Sequence, residues 1–291
     1  MDLIKSIIMG LVQGIAEFLP ISSSGHLAIM KHILHIETDT GLLFDVLLHL
    51  GTLIAIFIAF WKDIQELIIE GFKIIGDFFV NTGRLLTRLI SKRQVEYKNI
   101  ISTPYRRFVI LVLISSIPTG IMGFVFGDAI ELAADTLLVP GLCLLLTGIL
   151  LMIADRTKTG KKNEGTTSFK DAGLLGLAQG FAILPGLSRS GTTITAGLLL
   201  GLDRSFAVKY SFIMSIPAVL GAALKEALDF SMDMVTQNEL INYVVGTIIA
   251  GVVGYISIKT MLVIVRGKKF KIFSIYCFIL GFISVIGYFV I

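Results

Sequence analysis

Six apolar runs, each about as long as a bilayer is thick, constrain this chain more than any other feature. A membrane-crossing helix needs about 20 mostly apolar residues, and the runs that meet this length are Leu42–Trp61, Arg107–Gly127, Leu137–Ala154, Ser205–Leu224, Tyr243–Val265 and Phe273–Ile291. Only 16% of the residues are charged and 55% are hydrophobic, whereas a soluble domain carries about 25% charged residues. The sequence therefore predicts a polytopic all-α membrane protein. Its net charge of +4 is too small to suggest nucleic-acid binding.

Two further apolar regions, Leu3–Leu34 and Ala172–Leu202, are broken in the middle, and both breaks contain nearly the same phrase. Positions 10–25 read GLVQGIAEFLPISSSG and positions 176–191 read GLAQGFAILPGLSRSG. The arms on either side of each break are shorter than a full span and are typical of a re-entrant hairpin. An interrupted apolar segment that recurs in both halves of a membrane protein indicates a polar site near the bilayer midplane.

Three predicted spans separate the two copies of this phrase, and an odd number of crossings turns the second copy upside down relative to the first. We therefore predict a single integral membrane domain over 1–291, with six transmembrane helices plus two re-entrant helical hairpins in an inverted-topology repeat. The first repeat unit is 1–154, with its hairpin at 3–34 and an amphipathic insert at 62–106. A linker at 155–171 leads to the second unit, 172–291, whose hairpin is 172–202.

The charges of the loops predict the orientation of the chain. Lys and Arg are concentrated at 62–106, 155–171 and 266–271, whereas 128–136 has none and 225–242 has one. Basic loops lie on the cytoplasmic side of a membrane protein, so both termini are expected outside. The first hairpin then enters from the outer face and the second from the cytoplasmic face. The insert carries apolar residues at helical spacing with charges between them, which predicts amphipathic helices along the cytoplasmic membrane interface.

The two hairpin tips carry groups that bind phosphate. After each proline the chain turns through Ser and Gly, and new helices are predicted to open near Gly25 and Gly191. Helix N-termini and hydroxyls donate to anions, and the guanidinium of Arg189 forms a bidentate fork for a phosphate. A charged residue inside a membrane hairpin is a functional-site hypothesis by default. Serines at such places also serve as simple helix caps. The groups expected to bind an anionic head group are Ser22, Ser24, Gly25, Ser188, Ser190, Gly191 and Thr193, beside Arg189.

Three ionisable or polar side chains join this set. Glu17 lies one helical turn after Gln13 and needs a partner at membrane depth, either Arg189 or a divalent cation with oxygen ligands. Pairing with Arg189 could also be a purely structural lock between the halves. His26, next to the serines, is suited to carrying a proton near neutral pH. Asp45 and His49, one turn apart, are read as solvated surface residues in preference to supporting groups of the site.

At these residues the sequence resembles the undecaprenyl-diphosphate phosphatases of the bacitracin-resistance type. Their (E/Q)xxxE signature is matched by QGIAE at 13–17, which is followed by FLPISSSGHL, and their PGxSRSxxT motif by PGLSRSGTT at 185–193. The stretch FDVLLHLGTLIA from Phe44 is also similar, and the order of motifs matches over essentially the whole chain. Gln13 occupies the first signature position, so Glu17 is the main carboxylate.

The resemblance implies hydrolysis of undecaprenyl diphosphate to the monophosphate and inorganic phosphate, which recycles the lipid carrier for peptidoglycan and confers bacitracin resistance. It implies a divalent cation, Mg²⁺ or Ca²⁺, held by Glu17 with help from Gln13, and a site in the bacterial plasma membrane that opens to the outer face. In the mechanism expected here, Arg189 stabilises the transferring phosphate and Ser23 is the nucleophile, activated by His26. Direct attack by water, with His26 or Glu17 as base, remains the alternative.

A transporter is the competing class of function. Inverted repeats with broken helices are the architecture of many secondary carriers, and a protein of this kind could move a polyprenyl phosphate between leaflets instead of cleaving its diphosphate. The expected partners are the polyprenyl diphosphate and the surrounding membrane lipids. The sequence leaves the oligomeric state open, a homodimer included.

Overall fold

A computed structural model describes residues 1–36, 41–91, 94–134, 136–229 and 236–290. Within these ranges the chain is all-helical, and the only strand-like pairing is one isolated bridge between Lys162 and Leu202. The eleven helices of the described chain are α1 (Leu3–Ala16), α2 (Ser23–Leu34), α3 (Gly41–Ala59), α4 (Trp61–Ser91), α5 (Pro104–Ala134), α6 (Leu138–Arg156), α7 (Phe169–Phe181), α8 (Arg189–Leu199), α9 (Arg204–Asp229), α10 (Gln237–Arg266) and α11 (Phe270–Val290).

Five of these helices contain stretches long and apolar enough to cross a membrane: Pro104–Gly127, Leu138–Arg156, Arg204–Lys225, Gln237–Arg266 and Phe270–Val290. They correspond to five of the six predicted spans. The sixth prediction falls on α3, which meets the same criterion only together with α4, and the two helices are bent by 88° at the break between them. Large apolar side chains such as Ile248 and Phe282 are exposed along these helices. Such surfaces are stable against lipid and not against water, which supports a multi-pass membrane protein.

Several boundaries differ from the sequence prediction. Helix α10 begins at Gln237 and not at Tyr243, because Thr236 and Glu239 form a capping box that starts the helix before the apolar run. The amphipathic helices predicted in the insert are one continuous helix, α4, of 31 residues. Part of the predicted outer loop at 225–242 falls on residues 230–235, outside the described chain.

Four short helices surround the two breaks in the apolar pattern. Helices α1, α2, α7 and α8 have 14, 12, 13 and 11 residues, which is less than the length of a full span. A turn that contains Pro20 joins α1 to α2, and a turn that contains Pro185 joins α7 to α8. Proline has no N–H and restricts the residue before it, so a helix ends before it.

Glycines let the first helix of each pair pack tightly on a long helix. Helix α1 packs on α10, and a Cβ at Gly10 would collide with the backbone of Gly246. Helix α7 packs on α5 in the same way, because a Cβ at Gly176 would collide with the backbone of Ser115. These contacts hold the two turns at fixed places in the bundle. Next to the first turn, the buried ring of Phe18 meets that of Phe212 edge to face, with centroids 5.2 Å apart.

Candidate active site

The two helix turns meet at Glu17. Its carboxylate is almost completely buried and accepts three hydrogen bonds from side chains. Ser23 Oγ donates to Oε2 at 2.6 Å and Gln13 Nε2 donates to the same oxygen at 3.1 Å. Arg189 Nη2, 172 positions away in the chain, donates to Oε1 at 2.5 Å. A buried carboxylate needs partners of this kind to offset its desolvation, and here they come from both halves of the chain.

The first turn aims Glu17 and Ser23 at each other. Glu17 directly follows α1 and still continues its hydrogen bonding, since its N–H donates to the carbonyl of Gln13. Ser22 has a positive φ of 71°, a conformation that residues other than glycine rarely adopt. Its side chain accepts from the N–H of Gly25 and caps α2. Ser23 is therefore the first residue of α2, two positions earlier than the predicted start.

The second turn positions Arg189 in the matching way. Ser188 caps α8 by accepting from the N–H of Gly191, so Arg189 is the first residue of that helix. Thr147 of α6 holds the turn, because its hydroxyl accepts from Ser188 N–H at 3.0 Å and lies 3.2 Å from the carbonyl of Gly186. Arg189 thus enters the space between the turns from a fixed backbone.

The turns also touch each other through small residues. Ser24 Oγ accepts from the N–H of Gly186 at 3.3 Å. A Cβ built on Gly25 would lie 3.1 Å from the Cα of Gly186, so the backbones of the two turns are in close contact. The first residues of α2 and α8 therefore converge on one carboxylate. Helix N-termini carry partial positive charge, which together with the guanidinium favours an anion at this place.

Two histidines flank the site and make different contacts. His26 Nδ1 lies 2.7 Å from the carbonyl oxygen of Ser22, and its Nε2 lies 2.7 Å from the hydroxyl of Tyr276 in α11. Because a carbonyl only accepts, Nδ1 carries the proton and a neutral ring accepts from Tyr276 at Nε2. The His26 ring is thus engaged by groups other than the Ser23 hydroxyl. His49 of α3 instead points Nε2 at Glu17, 3.6 Å from Oε2.

A sequence-family comparison decides the classification. The family model for Bacitracin resistance protein BacA matches residues 6–283, nearly the whole chain. The chain belongs to this family. Both turns of the candidate site lie inside the matched region, and so do all the side chains of the site described above.

Several relatives match this chain over nearly their full length. The undecaprenyl-diphosphatase of Methanosphaera stadtmanae is 43% identical and covers 98% of both chains. That of Methanobrevibacter smithii is 41% identical over 99% of this chain and 98% of its own. The undecaprenyl-diphosphatase of Halothermothrix orenii is 38% identical over 98% of each.

The structure brings together some of the residues predicted for the site and gives others separate contacts. Gln13, Glu17, Ser23 and Arg189, all expected at the site, form one connected cluster. The remaining predicted residues lie at the two turns and at the starts of α2 and α8: Ser22, Ser24, Gly25, His26, Ser188, Ser190, Gly191 and Thr193.

Within that group, several hydroxyls are already used by the protein. Thr193 Oγ1 donates to the carbonyl of Arg189 at 2.8 Å and lies 2.6 Å from the hydroxyl of Ser211 in α9. Ser188 and Ser190 place their hydroxyl oxygens 3.3 Å apart. The capping role that the sequence left as an alternative therefore describes Ser22 and Ser188.

His49, Tyr276 and Thr147 contact the site but were not predicted as members of it. His49 was interpreted as a solvated residue, although its place one turn from Asp45 in an otherwise apolar helix was the available signal. Asp45 contacts Lys31 instead; its Oδ2 pairs with Lys31 Nζ at 2.5 Å. For Tyr276 and Thr147 the sequence contains no comparable signal, because each is an uncharged polar residue within a mostly apolar span.

The donor set can be compared with the needs of a divalent cation. Within the described residues, no cluster of three or more His, Cys, Asp or Glu side chains is placed to hold a metal. Gln13 Oε1 is buried beside Glu17 and has no hydrogen-bond partner among the described residues. Its amide nitrogen must face Glu17, because a carboxylate only accepts, so the free atom is an oxygen. One carboxylate and one amide oxygen fit Mg²⁺ or Ca²⁺ when substrate phosphates supply further ligands.

Proposed function

We propose that this chain hydrolyses undecaprenyl diphosphate to undecaprenyl phosphate and inorganic phosphate, the activity that the names of its relatives give. The observation that carries the proposal is the contact set of Glu17, whose carboxylate holds both the Ser23 hydroxyl and the Arg189 guanidinium. A hydroxyl beside a carboxylate, with a guanidinium and two helix N-termini, supplies what phosphoryl transfer needs. The product is the lipid carrier for peptidoglycan, so this activity recycles the carrier and confers bacitracin resistance.

The architecture proposed for this activity is the inverted-topology repeat with two re-entrant hairpins, α1–α2 and α7–α8. Equivalent contacts at a constant offset support it. Gly10 and Gly176, 166 positions apart, each pack on the backbone of a long helix, α10 for the first and α5 for the second. The caps from Ser22 and Ser188 to the glycines three residues later repeat with the same offset. The repeat units are those expected from the sequence, 1–154 and 172–291, joined by the linker 155–171.

The orientation follows from the loop charges. With the basic loops at 62–106, 155–171 and 266–271 on the cytoplasmic side, both termini lie outside and the α1–α2 hairpin enters from the outer face of the plasma membrane. Glu17 and Ser23 then face a substrate that arrives from that side, with its prenyl chain between helices in the lipid.

Arg189 binds the diphosphate in this proposal. Its guanidinium is always charged and forms a planar fork that suits phosphate oxygens. When the diphosphate enters, Arg189 turns from Glu17 to the phosphate, and the N–H groups at the starts of α2 and α8 contribute further donors. Hydroxyls of Ser24 and Ser190 add hydrogen bonds to the head group. Charge that develops during transfer is thus met by groups already in position.

Ser23 is the nucleophile in this proposal. Its Oγ attacks the terminal phosphorus, the bond from that phosphorus to the bridging oxygen breaks, and undecaprenyl phosphate leaves with the electron pair. Glu17 Oε2 already accepts the Ser23 hydrogen bond at 2.6 Å, so this carboxylate takes the proton. Water then cleaves the phosphoserine, which releases inorganic phosphate and restores the hydroxyl. His26, which the sequence suggested as the base, is assigned to orienting the α2 turn through its contacts with Ser22 and Tyr276.

Glu17 and Gln13 would hold a divalent cation, Mg²⁺ or Ca²⁺, through carboxylate and amide oxygens. When bound, such a cation neutralises charge on the phosphate oxygens. Departure of Arg189 to the substrate would free Glu17 Oε1 for this task.

Purified protein is expected to release phosphate from undecaprenyl diphosphate, and the release is expected to stop on addition of EDTA and to return with Mg²⁺ or Ca²⁺. The physical reason is that the guanidinium of Arg189 alone leaves much of the negative charge of the diphosphate unneutralised, and the Glu17 carboxylate adds a further negative charge. The measurement is colorimetric phosphate release in detergent micelles. If no phosphate appears, and labelled polyprenyl phosphate instead moves between the leaflets of proteoliposomes, the protein is a carrier and the proposal fails.

Replacement of His49 by alanine is expected to lower phosphate release by about tenfold, the scale seen when a neighbour that orients a catalytic ligand is removed. Its Nε2 lies 3.6 Å from Glu17 Oε2 and limits where that carboxylate can turn. His32→Ala, at an exposed position of α2, is the matched control and should retain full activity. Equal rates for the His49 and His32 variants would remove His49 from the site.

A further inference from the structure

Helix α4 does not follow the direction of the membrane spans. It has 31 residues, which at 1.5 Å per residue makes a rod about 46 Å long. It leaves α3 at an angle of 88°. Because α3 is an apolar helix of 19 residues that runs with the bundle, α4 extends sideways from the end of that helix. A helix in this position lies parallel to the membrane surface.

One face of α4 is apolar and uncovered. Phe72, Phe79 and Ile90 are 71%, 67% and 82% exposed. Their spacing places them on one side of the helix. The further members of this apolar stripe are Trp61, Ile68, Ile75 and Leu86. A continuous stripe of this length is not stable in water and marks a contact with lipid or with another protein.

The opposite face of α4 is fastened to the bundle by polar contacts. Asp63 accepts from Tyr105 and Lys209, and Arg106 bridges two further carboxylates. Arg106, in the first turn of α5, donates from Nε to Glu70 at 2.7 Å and from Nη1 to Asp77 at 2.8 Å. Glu70 and Asp77 are two turns apart on one side of the helix. Hydrogen bonds from Lys73 and Arg106 lower the pKa of Glu70, and those from Lys98 and Arg106 lower the pKa of Asp77. Both carboxylates are thus held ionised, and the clamp fixes the rotation of α4 about its axis.

The clamp also fixes the depth of α4. Arg106 lies at the start of the apolar stretch Pro104–Gly127, where that span leaves the membrane. The exposed apolar residues of α3, Ile54 and Ile58, lead directly to Trp61 at the beginning of α4. The lipid that contacts the exposed side of α3 therefore also contacts the apolar stripe of α4. Tryptophan is enriched at the level of lipid head groups.

Basic side chains accompany the stripe. Lys62, Lys73, Arg84 and Arg88 belong to the polar side of α4, together with four acidic residues, two of which are bound by Arg106. Long basic side chains on the polar face, combined with aromatic and aliphatic residues on the other, are typical of helices that lie in a membrane interface.

We infer that α4 is an interfacial anchor whose apolar stripe is inserted into the head-group and upper acyl region of the cytoplasmic leaflet, with its rotation set by the Arg106 clamp. The bilayer itself is the partner of this surface. The inference is independent of the proposed catalytic activity, since none of its residues contacts the Glu17 site.

The single tryptophan of the chain provides a direct test. Full-length protein is reconstituted into phosphatidylcholine–phosphatidylglycerol vesicles that contain lipid brominated near its carbonyl groups, and Trp fluorescence is measured with and without aqueous iodide. Wild-type Trp61 is expected to be quenched by the brominated lipid at least about twofold more than by iodide, the behaviour of an interfacial side chain.

Two variants extend the test along the helix. In Trp61→Phe/Phe79→Trp the fluorophore lies on the stripe, and in Trp61→Phe/Glu66→Trp it lies on the exposed polar side. The first should be quenched by brominated lipid and protected from iodide, and the second should show the opposite. Quenching of the Phe79→Trp variant by iodide would place the stripe in water. Protection from both quenchers would mean that protein covers it. Identical behaviour of the two variants would show that the helix has no fixed rotation. Each of these three results overturns the inference.

Discussion

Replacement of Arg189 by alanine is expected to lower phosphate release from undecaprenyl diphosphate by about a thousandfold, which corresponds to about 4 kcal/mol of transition-state stabilisation. Arg189 is the cation that contacts Glu17 at the meeting point of the two turns. Without it, neither turn offers a fixed positive side chain to the transferring phosphate. The measurement is kcat/KM for phosphate release at saturating Mg²⁺. Arg88→Ala removes the same charge from the exposed part of α4 and should leave kcat/KM unchanged.

A structural lock would also make Arg189→Ala inactive, because it would leave the buried carboxylate of Glu17 without its cation. The double variant Glu17→Gln/Arg189→Gln separates the two explanations. The double variant leaves no unpaired charge between the turns, so this protein should insert and elute from gel filtration as the wild type does. It should nevertheless stay inactive. Recovery of phosphate release in the double variant would reduce the pair to a lock between the halves and would contradict the proposed site.

The pairing of Glu17 with Arg189 could be anticipated from the sequence because lipid does not solvate charged side chains. A bilayer offers no water to an ionised side chain, so a carboxylate in an interrupted apolar segment needs a cationic partner, and Arg189 was one of the two candidates. The same argument predicted the helices themselves, since apolar runs of span length have no other stable form in lipid. An unpaired polar or charged group in lipid costs several kcal/mol. Such a cost is larger than the differences between alternative packings, so these inferences do not depend on packing details.

The roles of His49 and Tyr276 could not be predicted because they depend on how distant helices turn toward each other. The hydroxyl of Tyr276 meets His26 across 250 positions of the chain, and the one charged residue of its helix, Lys271 in the first turn, gives no indication of this contact. The starts of α2 and α8 show the same limit: one capping hydroxyl at each turn set the boundary two residues before the glycine that marked it in the sequence.

Replacement of Ser23 by alanine is expected to lower phosphate release by about a thousandfold or more, because the covalent route loses its only acceptor for the phosphoryl group. In wild-type protein, substrate labelled in its terminal phosphate should leave the label on Ser23 after a rapid acid quench, as detected by peptide mapping. Ser284→Ala is the matched control, since it removes a largely buried hydroxyl that only donates to the carbonyl of Leu137. It should release phosphate at the wild-type rate.

The covalent route and direct attack by water, which the sequence left open, predict different rates for Ser23→Ala. If water attacks the phosphorus directly, Ser23 serves only as a hydrogen-bond donor to Glu17, and its loss should cost far less than the loss of a nucleophile. Near-wild-type turnover by Ser23→Ala, with no label on the wild-type protein, would thus establish direct hydrolysis. The 2.6 Å hydrogen bond from Ser23 to Glu17 favours the covalent route, because it prepares the hydroxyl for attack and gives its proton a destination in the same contact.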